Sequence, residues 1–428
     1  MEISNLYELF VKHPDITTDS RNCPQGSLFF ALKGANFNGN KYAASALEKG
    51  CSYAIVDEAE FVKNERCILV DDCLKTLQQL ANYHRRKLKT PIIGITGTNG
   101  KTTTKELIAA VLSKEFNVAF TQGNLNNHIG VPLTLLKLTS ETEIAVIEMG
   151  ANHVGEIKTL AEIAEPNFGL ITNIGRAHLE GFGSFENIIK TKTELYDFIR
   201  TQRNGKLFVD IDNPILKEKS EGVTIVTYGT DDSAFLKGKI LSNNPFLEIE
   251  WTFFDKSYCV QTQLIGEYNF SNVMAAIAIG KFLGVNVKDI DDALAEYSPT
   301  NNRSQLKQTE RNTLIVDAYN ANPTSMLAAL SNFEKLTGKE KALILGDMLE
   351  LGAESDEEHL KIIDFVEKGR AEKVYLVGQQ FKKLNRNAQA FETVEDLIKE
   401  LKNNPLVGNT VLVKGSHGVH LEKSLDYL

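Results

Sequence analysis

The segment from Pro91 to Leu112 constrains the fold more than any other part of the sequence. The apolar run PIIGIT leads into the glycine-containing turn GTNG, and helical sequence begins at Lys101. A strand that enters a helix through such a turn is the setting of a phosphate-binding loop. Because the free N–H groups at a helix start attract anions, the segment predicts a nucleotide site at the end of a buried strand.

The loop departs from the standard pattern G-x-x-x-x-G-K-[ST], because Ile95 stands where the first glycine belongs. Gly97 and Gly100 still permit tight turns and the close approach of a phosphate. Lys101 would reach the β- and γ-phosphates, and the Thr102 hydroxyl would bind Mg²⁺. The alternative is an ordinary strand-to-helix turn with a solvated lysine.

Short apolar strands alternate with helical sequence over most of the chain, which predicts an α/β fold. PIIGIT, EIAVIEMG and FGLITNIG are separated by helical segments, as in a parallel sheet with helices on both faces. Residues 236–266 instead look like antiparallel strands added at an edge, followed by helices near 270–284 and 287–297. Beyond them, TLIVDAY, KALILGDM, KVYLVG and TVLVKGS are strands that suit a Rossmann-like domain.

A chain of 428 residues is too long for one compact core. We predict three domains: a small α/β domain at 1–88, a central P-loop-type parallel-sheet domain at 89–297, and a Rossmann-like domain at 298–428. The first contains short strands, such as SLFFAL and YAIVD, and the long helix CLKTLQQLANYHRRKL.

The charge balance and the cysteines exclude several classes of protein. The 47 basic and 56 acidic side chains give a net charge of -9, whereas a nucleic-acid-binding protein would present a basic face. Five cysteines without C-x-x-C spacing do not predict a disulfide framework or a zinc site. They fit a reducing cytoplasm. The chain has no apolar run of the ~20 residues needed to span a membrane, and MEISNLYELF does not resemble a signal peptide.

Two candidate metal ligands stand at the ends of apolar strands. EIAVIEMG ends its strand on Glu148, and His178 follows the strand in LITNIGRAHLEGFGS. Ligands of open α/β sheets bind beyond the carboxyl ends of the strands. A carboxylate suits Mg²⁺, whereas histidine is a less usual partner for that hard ion. The alternatives are an ordinary loop carboxylate and a hydrogen-bonded loop histidine.

A lysine lies on the apolar face of a predicted helix. SFENIIKTKTELYDFI should begin after an N-cap at Ser184, and its apolar residues form one stripe. Lys192 falls in that stripe, seven residues from both Phe185 and Ile199. It would either extend to the surface or pair with a carboxylate, or it is a functional lysine with a lowered pKa. Near a metal, a neutral amine can take up CO₂ and become an anionic carbamate ligand for Mg²⁺.

These motifs together resemble the Mur ligase family of cell-wall enzymes. GTNGKTTT matches the family's short loop G-T-x-G-K-[ST], and Glu148, NIGRAHLEGFGS and KTKTEL match its other central motifs. In the family, the lysine that matches Lys192 is carbamylated and helps to hold a second Mg²⁺. TDSRNCPQGSLFFALKGANFNGNKYAASALEKG is similar to the family's N-terminal UDP-sugar-binding domain. The resemblance covers essentially the whole chain.

The resemblance implies a set of site residues. Within it, Asn272 would face the adenine, Arg303 would approach the γ-phosphate, and Asp317 would lie near the ribose. The implied ATP-binding residues are Gly97, Thr98, Asn99, Gly100, Lys101, Thr102, Thr103, Asn272, Arg303 and Asp317. The implied metal ligands are Thr102, Glu148, His178 and Lys192. The implied catalytic residues are Lys101, Lys192, His178 and Arg303. The implied substrate-binding residues are Ser20, Arg21, Asn126, Asn127, Asn320, Asn322, Lys414 and Ser416.

The third domain resembles the C-terminal domain of one member of the Mur ligase family, the enzyme that adds the last amino acids to the peptide. YNANP, LGDMLELG and VKGSHG are its marks, although Ala318 and His417 depart from the usual DxYNANP and KGSR. The resemblance implies a monomeric, cytoplasmic ligase that uses ATP and two Mg²⁺ ions. It would join D-alanyl-D-alanine to UDP-N-acetylmuramoyl-tripeptide through an acyl phosphate, in peptidoglycan precursor synthesis. His178 and His359 are candidates for the general base.

Two other functions share part of this pattern. Folylpolyglutamate synthase has the same loop and acyl-phosphate chemistry, but it begins close to its phosphate loop and lacks a counterpart of TDSR…LFFALKG. A non-catalytic nucleotide-binding switch would bind phosphate with the same loop. Such a switch would not need a lysine buried near the metal. The inward position predicted for Lys192 therefore speaks against a switch.

Overall fold

The computed structural model describes residues 2–300, 302–337 and 340–428. It has three main sheets, one in each of three α/β domains. The first sheet has the strand order β1-β2-β5-β6 and is parallel throughout. The strands of this part of the chain are β1 (Ile16–Thr17), β2 (Leu28–Phe30), β3 (Lys33–Gly34), β4 (Phe37–Asn38), β5 (Tyr53–Val56) and β6 (Cys67–Leu69). Its helices are α1 (Ile3–Lys12), α2 (Ala43–Glu48) and α3 (Cys73–Leu88).

The central sheet has nine strands in the order β15-β14-β13-β12-β11-β10-β7-β9-β8. Its strands are β7 (Ile92–Thr96), β8 (Val118–Phe120), β9 (Ile144–Glu148), β10 (Phe168–Ile171), β11 (Lys206–Asp210), β12 (Thr224–Gly229), β13 (Leu236–Asn243), β14 (Leu247–Phe253) and β15 (Lys256–Gln261). The pairs from β8 to β13 are parallel, and β13, β14 and β15 pair antiparallel. The predicted antiparallel edge is therefore confirmed.

Helices cover both faces of this sheet. They are α4 (Lys101–Leu112), α5 (Gly130–Leu135), α6 (Glu156–Ala164), α7 (Leu179–Phe182), α8 (Phe185–Thr201), α9 (Pro214–Lys219), α10 (Phe270–Leu283) and α11 (Val287–Glu296). Ile93 and Ile95 of β7 pack into one apolar core with α4 and α10, whereas Ile92 packs into another with α6 and α8. Successive strand residues point to opposite faces, so a strand buried on both sides is apolar throughout.

The register of the central strands positions the site. Ile95 of β7 lies beside Glu148 of β9 on one side and Leu170 of β10 on the other. The three strands therefore end at the same edge, where the loop after β7, the Glu148 side chain and the segment after β10 meet. This is the edge where ligands of open α/β sheets bind.

The third sheet has the order β16-β17-β21-β18-β19-β20. Its strands are β16 (Gln305–Gln308), β17 (Thr313–Asp317), β18 (Lys341–Gly346), β19 (Lys373–Val377), β20 (Gln389–Phe391) and β21 (Thr410–Lys414). The accompanying helices are α12 (Pro323–Lys335), α13 (Ser355–Lys368), α14 (Gln379–Leu384) and α15 (Val394–Asn403). The four apolar strands were predicted. The sequence did not predict the edge strands β16 and β20, because β16 is largely polar and β20 has only three residues. Within the described ranges, no helix combines the length and apolar character needed to cross a membrane.

Candidate active site

Two glycines shape the loop between β7 and α4. Gly97 has φ 142° and Gly100 has φ 78°, a region that side chains disfavour. A Cβ atom at Gly97 would lie 2.1 Å from Oγ1 of Thr172, and one at Gly100 would lie 2.7 Å from Oδ1 of Asn272. Both positions therefore require glycine, and Asn272 lies directly against the loop. Its Oδ1 also accepts a hydrogen bond from the Thr104 hydroxyl at 3.0 Å.

The rest of the loop is tied to the segment after β10. The Thr98 N–H donates to the Asn173 carbonyl at 2.9 Å, and the Asn99 N–H donates to Asn173 Oδ1 at 3.0 Å. The Thr98 hydroxyl donates to the Gly175 carbonyl at 3.2 Å. Thr103 is buried in the first turn of α4. Asn173 is thus a loop-shaping residue that the sequence did not reveal, because it lies inside the segment FGLITNIG that was predicted as a strand, whereas the strand ends at Ile171.

Lys101 is turned onto its own loop. Its Nζ donates to the carbonyls of Gly97 at 2.8 Å and Thr98 at 3.0 Å. Burial lowers the pKa of Lys101, the Glu148 carboxylate opposes this effect, and the Arg303 guanidinium adds to it. The amine therefore lies at the loop itself, the position from which it could reach a bound phosphate.

The Glu148 carboxylate is buried beside the loop. Its Oε1 accepts hydrogen bonds from Asn126 Nδ2 at 2.8 Å and the Thr102 hydroxyl at 3.3 Å. Its Oε2 has no hydrogen-bond partner among the described residues, and it lies 3.7 Å from Lys105 Nζ. A hydroxyl and a free carboxylate oxygen suit Mg²⁺, which binds few protein ligands and prefers oxygen. The described part of the chain holds no cluster of three or more His, Cys, Asp or Glu placed for a metal.

Lys105 is a buried lysine that sequence reasoning missed. Its side chain is 0% exposed, and its Nζ makes no hydrogen bond within the described ranges. Burial lowers its pKa, whereas the nearby Glu148 and Glu106 carboxylates oppose that shift. The only available signal was its spacing from Lys101, since residues four apart share one face of a helix.

Lys192 points inward, as the apolar stripe of α8 predicted. Ser184 caps this helix through its side chain, which accepts from the Asn187 N–H. The Lys192 side chain is 2% exposed, its Nζ lies 3.4 Å from the Ala151 carbonyl, and it forms no ion pair with a described residue. Burial, aided by the positive charge of Lys101, holds its pKa well below the usual value. The alternative of a surface-reaching or carboxylate-paired lysine is therefore wrong.

A small cleft is lined by five of the predicted site residues. Lys101, His178 and Lys192 line it together with Gly97, Thr98, Ala177, Phe182 and Ile188. His178 has φ 51°, and its Nδ1 is hydrogen-bonded to the Glu350 carboxylate, which comes from the third domain. Burial lowers the pKa of His178, while Glu350 opposes that shift. A carboxylate on one ring nitrogen orients the other nitrogen of a metal-binding histidine.

The third domain contributes a second group of charged side chains. The Arg303 guanidinium lies 3.6 Å from the centre of the Tyr319 ring. Its buried Nε makes no hydrogen bond to any described residue. Asp317 and Lys414 are neighbours at the ends of β17 and β21, and Lys414 Nζ donates to Asp317 Oδ2 at 2.5 Å. Lys414 also donates to the Asn320 carbonyl at 3.4 Å.

Asn322 connects the third domain to the phosphate loop, whereas Ser416 makes its hydrogen bonds within the third domain. Asn322 caps α12, and its Nδ2 donates to Oδ1 of Asn99 in the phosphate loop at 2.7 Å. The Ser416 hydroxyl donates to the Ala321 carbonyl at 3.3 Å and accepts from the Leu349 N–H at 3.0 Å. The helix α12 therefore begins directly at the phosphate loop.

Three predicted substrate-binding residues make their hydrogen bonds outside this cluster. Arg21 is exposed and bonded to Asp19, and the Ser20 carbonyl accepts from Lys49 at 2.8 Å. The Oδ1 atom of Asn127 accepts from the Gly130 N–H at 2.9 Å, at the start of α5. Their part in binding remains a prediction.

The candidate base His359 is a structural residue. It is 0% exposed, and its Nε2 accepts from the Met348 N–H at 3.0 Å. Its Nδ1 donates to the Ser355 carbonyl at 2.7 Å. With both nitrogens engaged inside the domain, His359 cannot receive a proton from a substrate amine.

Three domain models of the Mur ligase family match this chain. Residues 15–86 match the catalytic domain of the Mur ligase family, residues 95–280 its middle domain, and residues 302–417 its glutamate ligase domain. A Bacillus subtilis (strain 168) protein named UDP-N-acetylmuramoyl-tripeptide--D-alanyl-D-alanine ligase is 37% identical over 97% of this chain and 93% of its own length. The Escherichia coli (strain K12) protein of the same name is 33% identical over 95% and 92%.

Solved structures give the same result. The crystal structure of MurF from Acinetobacter baumannii is 32% identical, with a TM-score of 0.87 over 96% of this chain and 92% of that one. MurF ligase from Thermotoga maritima in complex with ADP is 26% identical, with a TM-score of 0.87 over 98% and 97%. The chain therefore belongs to the Mur ligase family of ATP-dependent ligases. Within that family it is a MurF-type ligase, an enzyme of peptidoglycan precursor synthesis.

Proposed function

We propose that this chain joins D-alanyl-D-alanine to UDP-N-acetylmuramoyl-tripeptide through an acyl phosphate. ATP would be converted to ADP and phosphate, and the product would be UDP-N-acetylmuramoyl-pentapeptide. These are the substrates in the names of its relatives from Bacillus subtilis and Escherichia coli. The observation that carries the proposal is the cleft in which Lys101, His178 and Lys192 lie together beside the phosphate loop.

The reaction must make an amide from a carboxylate, which is a poor electrophile. Transfer of the γ-phosphoryl group to the tripeptide carboxylate would give an acyl phosphate, which the amine of D-alanyl-D-alanine then attacks while phosphate leaves. Charge on the transferring oxygens needs nearby cations. Lys101 lies at the loop, and Arg303 is close enough to lower the pKa of Lys101. Both would stabilise the transferring phosphoryl group.

The donor set fits Mg²⁺. Thr102 and Glu148 would hold one ion, and His178 with a carbamate on Lys192 would hold or orient a second. Bound Mg²⁺ would offset negative charge on the phosphate oxygens. For the carbamate, the Lys192 amine would bond to the carbon of CO₂ and release one proton. Lys192 is buried and forms no ion pair with any described residue, which supports the carbamate. The carbamate would replace the buried cation with an anionic oxygen ligand for Mg²⁺.

The three domains would divide the work. Residues 1–88 would bind the UDP-sugar portion with Ser20 and Arg21. Residues 89–297 would hold ATP through the loop from Gly97 to Thr103, with Asn272 at the adenine. Residues 298–428 would supply Arg303, Asp317 near the ribose, and the dipeptide site. The remaining substrate contacts would come from Asn126, Asn127, Asn320, Asn322, Lys414 and Ser416. We further infer a cytoplasmic monomer.

An ADP-release assay tests the function. We expect ADP and phosphate formation only when both UDP-N-acetylmuramoyl-tripeptide and D-alanyl-D-alanine are present. The assay should compare tripeptides with lysine and with diaminopimelate as the third residue. Lys101→Met should abolish product without loss of the folded state, and Lys114→Met, which changes a lysine just beyond α4, is the matched control. Phosphate release with a folate and glutamate instead would refute the proposal.

A further inference from the structure

A fully buried lysine stands behind the proposed metal carboxylate and has no part in the mechanism above. Lys105 is 0% exposed, and its Nζ has no hydrogen-bond partner in the described part of the chain. Its Nζ lies 3.7 Å from Oε2 of Glu148 and 3.9 Å from Oε1 of Glu106. A lysine without water or a hydrogen bond is costly to bury, so its place in the core requires an explanation.

The two oxygens of Glu148 have different surroundings. Oε1 accepts hydrogen bonds from Asn126 and Thr102, whereas Oε2 accepts none from a described residue and lies nearest to Lys105. The carboxylate is 1% exposed, so bulk water does not screen it. In the absence of a metal, Lys105 is the cation that neutralises this buried charge most directly.

The Lys105 side chain is enclosed on several sides. It is held in α4, one turn beyond Lys101, and its Nζ lies 5.8 Å from the centre of the Phe120 ring. Glu106 is engaged elsewhere as well, since Oε2 of Glu106 accepts from the Tyr297 hydroxyl at 2.7 Å. The Lys105 amine is therefore enclosed in the core beside Glu148, Glu106 and the Phe120 ring.

We propose that Lys105 is a positioning residue, the internal counter-ion of Glu148, which makes Mg²⁺ binding depend on the negative charge of a bound nucleotide. This rests on the proposed function only in taking Glu148 as a metal ligand. Lys101 and Lys105 already offset the negative charges of Glu148 and Glu106, so a free divalent ion meets a site with no net negative charge to attract it. The phosphates of a nucleotide reverse that balance, so metal and nucleotide enter together.

The test is a titration with Mn²⁺ followed by electron paramagnetic resonance, without substrate and without turnover. In the unmodified protein, we expect Mn²⁺ to bind at least tenfold more weakly without ADP than with it. Lys105→Met and Lys105→Gln should each bind Mn²⁺ at least tenfold more tightly without ADP, and the difference between the two conditions should shrink. Lys114→Met, which removes a surface lysine of the same charge, should leave both affinities unchanged.

Three outcomes of the Mn²⁺ titration would count against the proposal or its premise. If neither variant binds free Mn²⁺ more tightly, Lys105 is only a structural residue and the proposal is overturned. If the unmodified protein already binds Mn²⁺ equally well with and without ADP, the proposal fails even where the variants do not fold. Glu148→Gln separates this from the proposed function. If it leaves Mn²⁺ binding with ADP intact, the metal assignment fails, whatever the result for Lys105.

Discussion

The two halves of the candidate site are built in different ways. The central half, with Glu148, Lys105 and Lys192, is buried within one sheet and its helices. The half from the third domain reaches the loop through hydrogen bonds at a seam, and the Glu350 side chain is 55% exposed. Buried contacts within one domain persist without a partner domain, whereas the contacts at the seam require docking. The phosphate-binding half is therefore preformed, and the other half depends on the position of the third domain.

The sharpest test of the preformed half is Lys192. We expect Lys192→Met to lower kcat by about 10³-fold, the scale at which a preorganised charge at a reacting centre acts. Lys192→Glu should retain more activity than Lys192→Met, because a carboxylate resembles the anionic carbamate. The melting temperature of Lys192→Met should be equal or higher, since a buried lysine costs stability. Steady-state kinetics and calorimetry give these values.

Lys190 provides the control, because it is exposed on the same helix. Lys190→Met should leave both kcat and the melting temperature unchanged. Activity of Lys192→Met within threefold of the unmodified protein would contradict the functional role of this lysine, including its proposed part in holding the second Mg²⁺.

A smaller effect is expected at the seam. Glu350→Gln should lower kcat about tenfold, in the range known for partners that orient a metal-bound histidine. The melting temperature should hardly change, because the side chain is partly exposed. The same measurement on Glu354→Gln, which removes an ion pair with Arg176 at the same seam, should show no loss of kcat. Equal losses in both variants would mean that the seam acts by docking alone and not through His178.

The smallest effect concerns the amide pair of Asn99 and Asn322. Asn99→Ala and Asn322→Ser, which keeps a capping side chain on α12, form a double-mutant cycle in kcat/KM. We expect a coupling of about 1 kcal/mol, the usual worth of one hydrogen bond. Asn244 and Thr337, bonded at 2.7 Å across the same pair of domains, form the control cycle, in which kcat/KM should show no coupling. Equal coupling in both cycles would show that the contact at the phosphate loop has no special role.

Local sequence patterns predict the parts of the structure that neighbouring residues determine. The strand and helix around the loop, the Ser184 cap and the inward position of Lys192 all follow from hydrophobic spacing and capping chemistry. These are interactions between residues close in sequence. Residues on the apolar face of a helix are buried when the helix packs. The burial of Lys192 could therefore be predicted from the sequence alone.

The remaining features depend on contacts between distant residues. Glu350 meets His178 across 172 positions, and Asn99 meets Asn322 across 223. Such pairs leave no periodic trace in one sequence. Lys105 was missed for another reason, since KTTTKEL reads as the start of an ordinary helix and a lysine there is expected to be solvated. Lys105 is a core residue because α4 and the end of the strand that contains Glu148 pack together at the same edge of the sheet.

The glycines of the loop also bear on drug resistance. Any side chain at Gly97 would collide with Thr172, and any at Gly100 would collide with Asn272. An inhibitor that hydrogen-bonds to the backbone at these two positions would contact a surface that point mutations cannot easily change. Escape would then have to arise elsewhere in the chain, and compounds anchored here should select resistant strains more slowly than compounds anchored on exposed side chains such as Arg21.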